Sequence, residues 1–163
     1  ISYVRKENIY QHFLFTDNPR NKLNYSNISD INGNFIPNTS LGKNPENESD
    51  YSIVYFSLAR QFEIDSSKIY IYGKFNNYQL TEENEMIYNP SLETFEGILV
   101  LKQGFYNYKY VIKKNNMIQK NQISGSFFQT ENSYTILVYK RGFEDLYDNL
   151  IGVGRTNSFE LKY

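Results

Sequence analysis

Among 163 residues there is no cysteine, no tryptophan and a single histidine, and each shortage removes a class of function. Without Cys there is no disulfide framework, no thiolate nucleophile and no sulfur ligand for zinc. A Ser/His/Asp relay or a multi-histidine metal site would have to run through His12 alone, which sits in a strand-like run beside Phe13 with no acid motif near it. We read His12 as a surface or interdomain residue and expect no catalytic residue, no metal and no cofactor. Charge of one sign is also missing: 17 Lys+Arg against 18 Asp+Glu leave a formal −1. No broad cationic field therefore draws nucleic acid or anionic lipid. No apolar run approaches the ~20 residues that cross a bilayer, so no transmembrane segment is expected. Ile1 follows neither an initiator Met nor a signal-peptide pattern, and the chain reads as a soluble fragment or a processed protein.

What the chain has is ring area. Sixteen Tyr and twelve Phe make up 17% of it, and a tyrosine carries a large apolar surface with a hydroxyl that can stay wet. The length suits one domain with an appendage. Ile9 to Phe15 ends at Thr16-Asp17-Asn18-Pro19, where Pro and Asx residues favour a turn. From there to Asp50 the composition turns to Asn, Ser, Gly and Pro, a linker or draped loop with Asp30-Ile-Asn-Gly-Asn34 as its clearest turn. That Asx run lacks the spacing and terminal Glu of a calcium loop. Asn-x-Ser triplets at Asn24, Asn27, Asn38 and Asn47 are what so Asn- and Ser-rich a stretch gives by chance, and carry no function here.

Tyr51 to Leu58 and Lys68 to Tyr72 are dense in β-branched and aromatic residues and read as neighbouring strands. The apolar run after Gly97 is expected to turn at Gly104 into a Tyr-rich partner strand. The period of two then puts Leu99 and Leu101 on the core face with Tyr106, Tyr108 and Tyr110. Ile98, Val100, Asn107 and Lys109 take the opposite, more polar and partly covered face. Tyr134 to Tyr139 and a last strand through Ser158-Phe-Glu-Leu161 complete an all-β pattern with no amphipathic helix of ordinary length. The expectation is an immunoglobulin-like β-sandwich over 51–163, with 21–50 as a long N-terminal linker and 1–20 as the end of a preceding domain.

Carboxylates gather at Glu82, Glu83 and Glu85 and at Glu144, Asp145 and Asp148. A pair of them could serve as acid and base on a glycosidic bond, but carboxylates flanking loops of a β protein are ordinarily solvated surface. Tyr78 is different, because it lies in a polar loop where no packing period accounts for it. Aromatic anchors in polar loops at a sandwich end are the expected contact points. Phe75, Asn76 and Tyr78 in one segment, and Phe143 and Tyr147 in another, are therefore the candidate partner contacts.

Gly73-Lys-Phe-Asn-Asn-Tyr78, with Gly97 and Lys102-Gln-Gly-Phe-Tyr-Asn-Tyr-Lys-Tyr110, resembles the early-set sandwiches of the glycogen-binding type, which carry Trp where Tyr78 stands. A longer ordered set includes Asp50-Tyr-Ser-Ile-Val-Tyr-Phe-Ser-Leu58 and Ile69-Tyr-Ile-Tyr-Gly-Lys-Phe-Asn-Asn-Tyr78. It continues through Leu101-Lys-Gln-Gly104, Thr130-Glu-Asn-Ser-Tyr134 and Tyr147-Asp-Asn-Leu-Ile-Gly152. This set resembles the C-terminal part of the type IX secretion plug proteins of Bacteroidota. The resemblance implies a non-enzymatic periplasmic protein at the inner face of the outer membrane. Its partner would be the outer-membrane translocon β-barrel, whose periplasmic opening it seals, and no small-molecule substrate is expected. The alternative is a carbohydrate-binding module of the glycogen-binding type, with Tyr78 as its stacking platform.

Overall fold

The computed structural model describes residues 2–6, 9–25, 30–39, 42–61, 67–127, 129 and 132–158. Asn27 and residues 159–161 of the expected last strand lie outside them. Twelve strands are described: β1 Ser2–Lys6, β2 Ile9–Phe13, β3 Phe35–Pro37, β4 Tyr51–Ala59, β5 Lys68–Tyr72, β6 Glu85–Asn89, β7 Thr94–Lys102, β8 Gly104–Tyr106, β9 Lys109–Lys114, β10 Met117–Gln119, β11 Ser133–Lys140 and β12 Asn149–Asn157. Among the described residues the one α-helix, Pro45–Glu48, is a single turn, and no described helix is long and apolar enough to cross a membrane. The chain forms two compact units, 1–126 and 127–163.

In the first unit eight strands follow the order β1-β2-β4-β7-β6-β5-β9-β10. The period of two explains how they pack. Phe56 and Leu58 of β4, Phe95 of β7, Met86 of β6, Ile69 and Ile71 of β5 and Tyr110 and Ile112 of β9 all point to one side and make a single buried core, joined by Ile123. The β4–β7–β6 half and the β5–β9 half thus face each other, which gives an all-β, sandwich-like fold of the immunoglobulin-like type. A second, smaller cluster of Tyr70, Tyr72 and Val111 with Leu80 covers the other face of β5 and β9.

Leu99, Leu101, Tyr108 and Tyr110 reach the same core as expected, but by a different route. The expected hairpin at Gly104 does not form. Strand β7 pairs with β4 and β6, whereas β9 pairs with β5 and β10. Between them β8 pairs with β3, so the chain crosses from one half of the sandwich to the other. Gly104 is required there by close approach: a Cβ would collide with the backbone of Ile36 and Pro37. Ile98 and Val100 face outward at 56% and 60% exposure rather than partly covered. Lys109 and Asn107 are half-buried.

The contacts do not divide at residues 20 and 50. Strand β2 runs parallel to β4, with Tyr10 opposite Ser52 and Phe13 opposite Tyr55. Phe13 and Tyr55 stack at 4.4 Å, Leu14 packs on the core, and Asp17 bridges to Leu58. Segment 30–39 is likewise bound to the sandwich. Asn32 and Gly33 both have positive φ (54° and 74°), the pattern of a type I′ turn, closed by Asn34 N–H donating to the Ile31 carbonyl at 3.1 Å. Asn107 Oδ1 then accepts from Ile31 N–H at 3.1 Å and Gly33 N–H at 3.0 Å. The second unit is built on the β11–β12 hairpin, with a bulge between Val138 and Tyr139.

Candidate functional site

The segment after β5 is set by two asparagines. Asn76 Nδ2 donates to the Ile71 carbonyl at 3.0 Å and its Oδ1 accepts from Gly73 N–H at 3.3 Å. Asn84, buried, donates to the same Ile71 carbonyl at 2.6 Å and to that of Gln79 at 2.9 Å. Its Oδ1 accepts from Thr81 N–H at 2.7 Å and the Thr81 hydroxyl at 2.9 Å. All four hydrogen-bonding positions of the Asn84 amide are thereby used. Phe75 turns back over Gly73 onto the core and meets Tyr106 edge to face at 5.6 Å. Of the three candidates in this segment, Phe75 and Asn76 are thus structural, and only Tyr78 is open, at 47% exposure. Its backbone is left-handed, φ 57°, an uncommon setting for a bulky residue. The ring lies 5.1 Å from that of Tyr72.

Phe143 and Tyr147 lie in the second unit, on the loop between β11 and β12. That loop is braced by its own side chains. Arg141 Nε donates to Asp148 Oδ1 at 2.8 Å across its neck. Asp145 Oδ2 accepts from Gly142 N–H at 2.7 Å and from Asn149 Nδ2 at 3.0 Å. The acidic residues Asp145 and Asp148 are therefore spent on local structure. The frame leaves Phe143 and Leu146 fully exposed and Tyr147 largely so, an apolar tip of three large side chains. Leu146 lies inside the segment that the sequence singled out but was not itself named, because the signal there was aromatic anchors. The hairpin behind the tip also shows apolar groups on both faces, Tyr134, Ile136 and Val138 on one and Leu137 and Tyr139 on the other. A two-stranded ribbon of that kind is marginal by itself in water.

In the other acidic cluster, Glu85 is held by its neighbours. Glu85 Oε2 accepts from Lys68 Nζ at 2.7 Å and from the Tyr70 hydroxyl at 3.2 Å. The bond from Glu85 holds the Lys68 ammonium above its ordinary pKa, and burial, then the Glu85 charge, push the Tyr70 phenol up. Glu82 and Glu83 are exposed on the first turn of a 3₁₀ segment. Among the described residues no group of three His, Asp or Glu could hold a metal ion. His12 is half-buried on β2, its ring 6.4 Å from that of Tyr10.

Comparison with known proteins finds a likeness among solved structures. No family model and no curated protein matches the chain. It is similar to the crystal structure of a hypothetical protein from Parabacteroides merdae ATCC 43184, at 34% identity and a TM-score of 0.74. The match covers 95% of this chain and 39% of that one, so the chain spans well under half of that protein's length.

Proposed function

We propose that the chain is a non-enzymatic, partner-binding module: the plug of a type IX secretion translocon, periplasmic, sealing the periplasmic opening of the outer-membrane barrel. The observation that carries partner binding is the braced loop at 141–149, which holds Phe143, Leu146 and Tyr147 in water. A loop fixed before binding loses little conformational freedom on docking, and large side chains buried at a contact centre supply most of its energy. The translocon is favoured as partner by the ordered set of plug-like segments in the sequence. The 34% identity to a protein from a Bacteroidota species agrees with that source. Sealing needs a rigid scaffold, an apolar contact and reversibility, and no catalytic group.

The carbohydrate reading has one observation in its favour, the Tyr72–Tyr78 pair lining an open cavity. The two rings are inclined at 45° to each other, a poor platform for the flat stacking of a glucan. Affinity capture on outer membranes of a Bacteroidota host expressing the tagged chain separates the readings. We expect the translocon barrel, identified by mass spectrometry, to be retained by the wild-type chain and lost with the folded triple variant Phe143→Ala/Leu146→Ala/Tyr147→Ala. Absence of the barrel from the wild-type capture, together with saturable binding of soluble glucan, would replace the plug reading by the carbohydrate one.

A further inference from the structure

A cavity of about 560 Å³ opens on the first unit between the 30–34 turn, the start of β9 and the Tyr72–Tyr78 pair. Three cations line it: Arg20, Lys109 and Lys120. This is a local excess on a chain whose formal charge is −1. None of the three is ion-paired with a described residue. Lys109 is half-buried, and among the described residues its ammonium makes one long hydrogen bond, 3.4 Å to Asn121 Oδ1. Lys120 Nζ stands 5.6 Å from the centre of the Tyr72 ring. One carboxylate, Asp30, also lines the cavity, which leaves an excess of two positive charges, and it and nearby Asp17 are hydrogen-bonded to other groups. Asp30 Oδ1 accepts from Asn32 N–H at 2.7 Å within its own turn, and Asp17 Oδ2 takes two tyrosine hydroxyls.

Holding like charges together in a partly desolvated cavity is unfavourable. Burial first, and then the Lys120 charge, lower the pKa of Lys109. A bound anion would favour the charged ammonium and so offset both effects. The cavity wall is also fixed in advance. Asn107 pins the 30–34 turn through two backbone N–H groups, and Tyr78 is kept in left-handed backbone with its ring against Tyr72. Strain retained at an open, aromatic-lined site is a mark of binding rather than of packing.

We propose that this cavity binds an oxyanion, a carboxylate or a phosphate, carried on a ring-bearing small molecule: Lys109, Lys120 and Arg20 take the anionic group and Tyr72 and Tyr78 the ring. The assignment is independent of the translocon reading, since it lies in the first unit and needs no barrel. Lysine and arginine donors form charge-assisted hydrogen bonds to either anion, and arginine can engage it bidentately.

The test is an NMR titration of the 163-residue chain with benzoate, phenyl phosphate, benzyl alcohol and maltoheptaose as separate probes. Benzoate or phenyl phosphate should shift the signals of Tyr72, Tyr78 and Lys109 saturably, and added NaCl should weaken the binding. The stronger of the two identifies the carboxylate or the phosphate as the favoured group. Benzyl alcohol, which has the ring without the charge, should bind at least about tenfold more weakly, the equivalent of one charge-assisted hydrogen bond. Lys109→Met should lose a similar factor. Because Lys109 is half-buried, the exposed Lys120→Gln serves as a second variant with less risk to folding. No saturable shift with either anion, equal binding of benzyl alcohol, or unchanged affinity in a folded Lys120→Gln/Lys109→Met chain would overturn the proposal. Maltoheptaose shifting the same signals while both anions fail would make the cavity a neutral sugar site instead.

Discussion

Asp17 joins the N-terminal segment to the sandwich, and its removal should be among the most damaging single polar changes in the first unit. Its backbone N–H donates to the Ser57 carbonyl and its carbonyl accepts from Ala59 N–H, both at 2.8 Å. A change of side chain leaves those two bonds in place. The carboxylate does something else: Oδ2 accepts from the hydroxyls of Tyr108 and Tyr110, each at 2.7 Å. A hydrogen bond to a charged acceptor contributes about 1.5–3 kcal/mol. Two that share one oxygen do not add in full, so Asp17→Ala should cost about 3 kcal/mol. Asp17→Asn keeps an acceptor without the charge and should cost about half of that. For a domain of this size 3 kcal/mol lowers Tm by roughly 10 °C. Urea denaturation is the assay, with a fall in midpoint at constant m. In the Asp17→Ala background, Tyr108→Phe and Tyr110→Phe should each cost less than in the wild type, with coupling energies in the range of about 0.5–3 kcal/mol. A loss below about 0.5 kcal/mol for Asp17→Ala, the level of an ordinary surface change, would refute the reasoning.

Asp17 also marks the limit of what the sequence discloses. Alternation of apolar residues located β4, β5 and β7 and assigned Leu99, Leu101, Tyr108 and Tyr110 to the core, because period two fixes the face of a strand whatever its partner. It does not fix the partner. The crossing at Gly104 depends on β3, a three-residue strand in an Asn- and Pro-rich stretch with no periodic signal of its own. Thr16-Asp17-Asn18-Pro19 has the residues of a turn, yet Asp17 is a bridge whose hydroxyl partners lie 91 and 93 positions later, a separation that no local pattern encodes. At the candidate sites the same distinction holds. Phe75 and Asn76 had the look of displayed loop residues, but the demands of the Ile71 carbonyl and the core drew them inward. Phe143 and Tyr147 stay out because Arg141, Asp145 and Asp148 brace the loop from within. The cation-lined cavity gathers Arg20, Lys109 and Lys120 from separate segments and leaves no mark in a chain of nearly balanced charge.

Leu58, which is fully buried, should lose about 2–5 kcal/mol on truncation to Ala, whereas Ile98→Ala on the outward face should stay within about 0.5 kcal/mol. Equal losses in urea denaturation would mean that the two faces of the sandwich are assigned wrongly. Gly104→Ala should cost about 1–3 kcal/mol as an overpacking change and release β3 from β8, read as faster amide exchange of Ile36. Exchange as slow as in the wild type would show that a Cβ is accommodated there. The last expectation concerns alkaline pH. Burial, and then neighbouring charge, raise the pKa of Tyr108 and Tyr110 in the folded chain, while in the unfolded chain both titrate near pH 10. Above that pH the unfolded state gives up protons that the folded state retains, so the free energy of unfolding falls as pH rises. Their contribution is complete below about pH 10 and lost above it. Urea midpoints taken across that range should therefore drop steeply in the wild type and less steeply in Tyr108→Phe/Tyr110→Phe. An equal slope in both would place the alkaline sensitivity elsewhere, with Tyr70 and Tyr106, whose phenols are also pushed up by burial, the next pair to test.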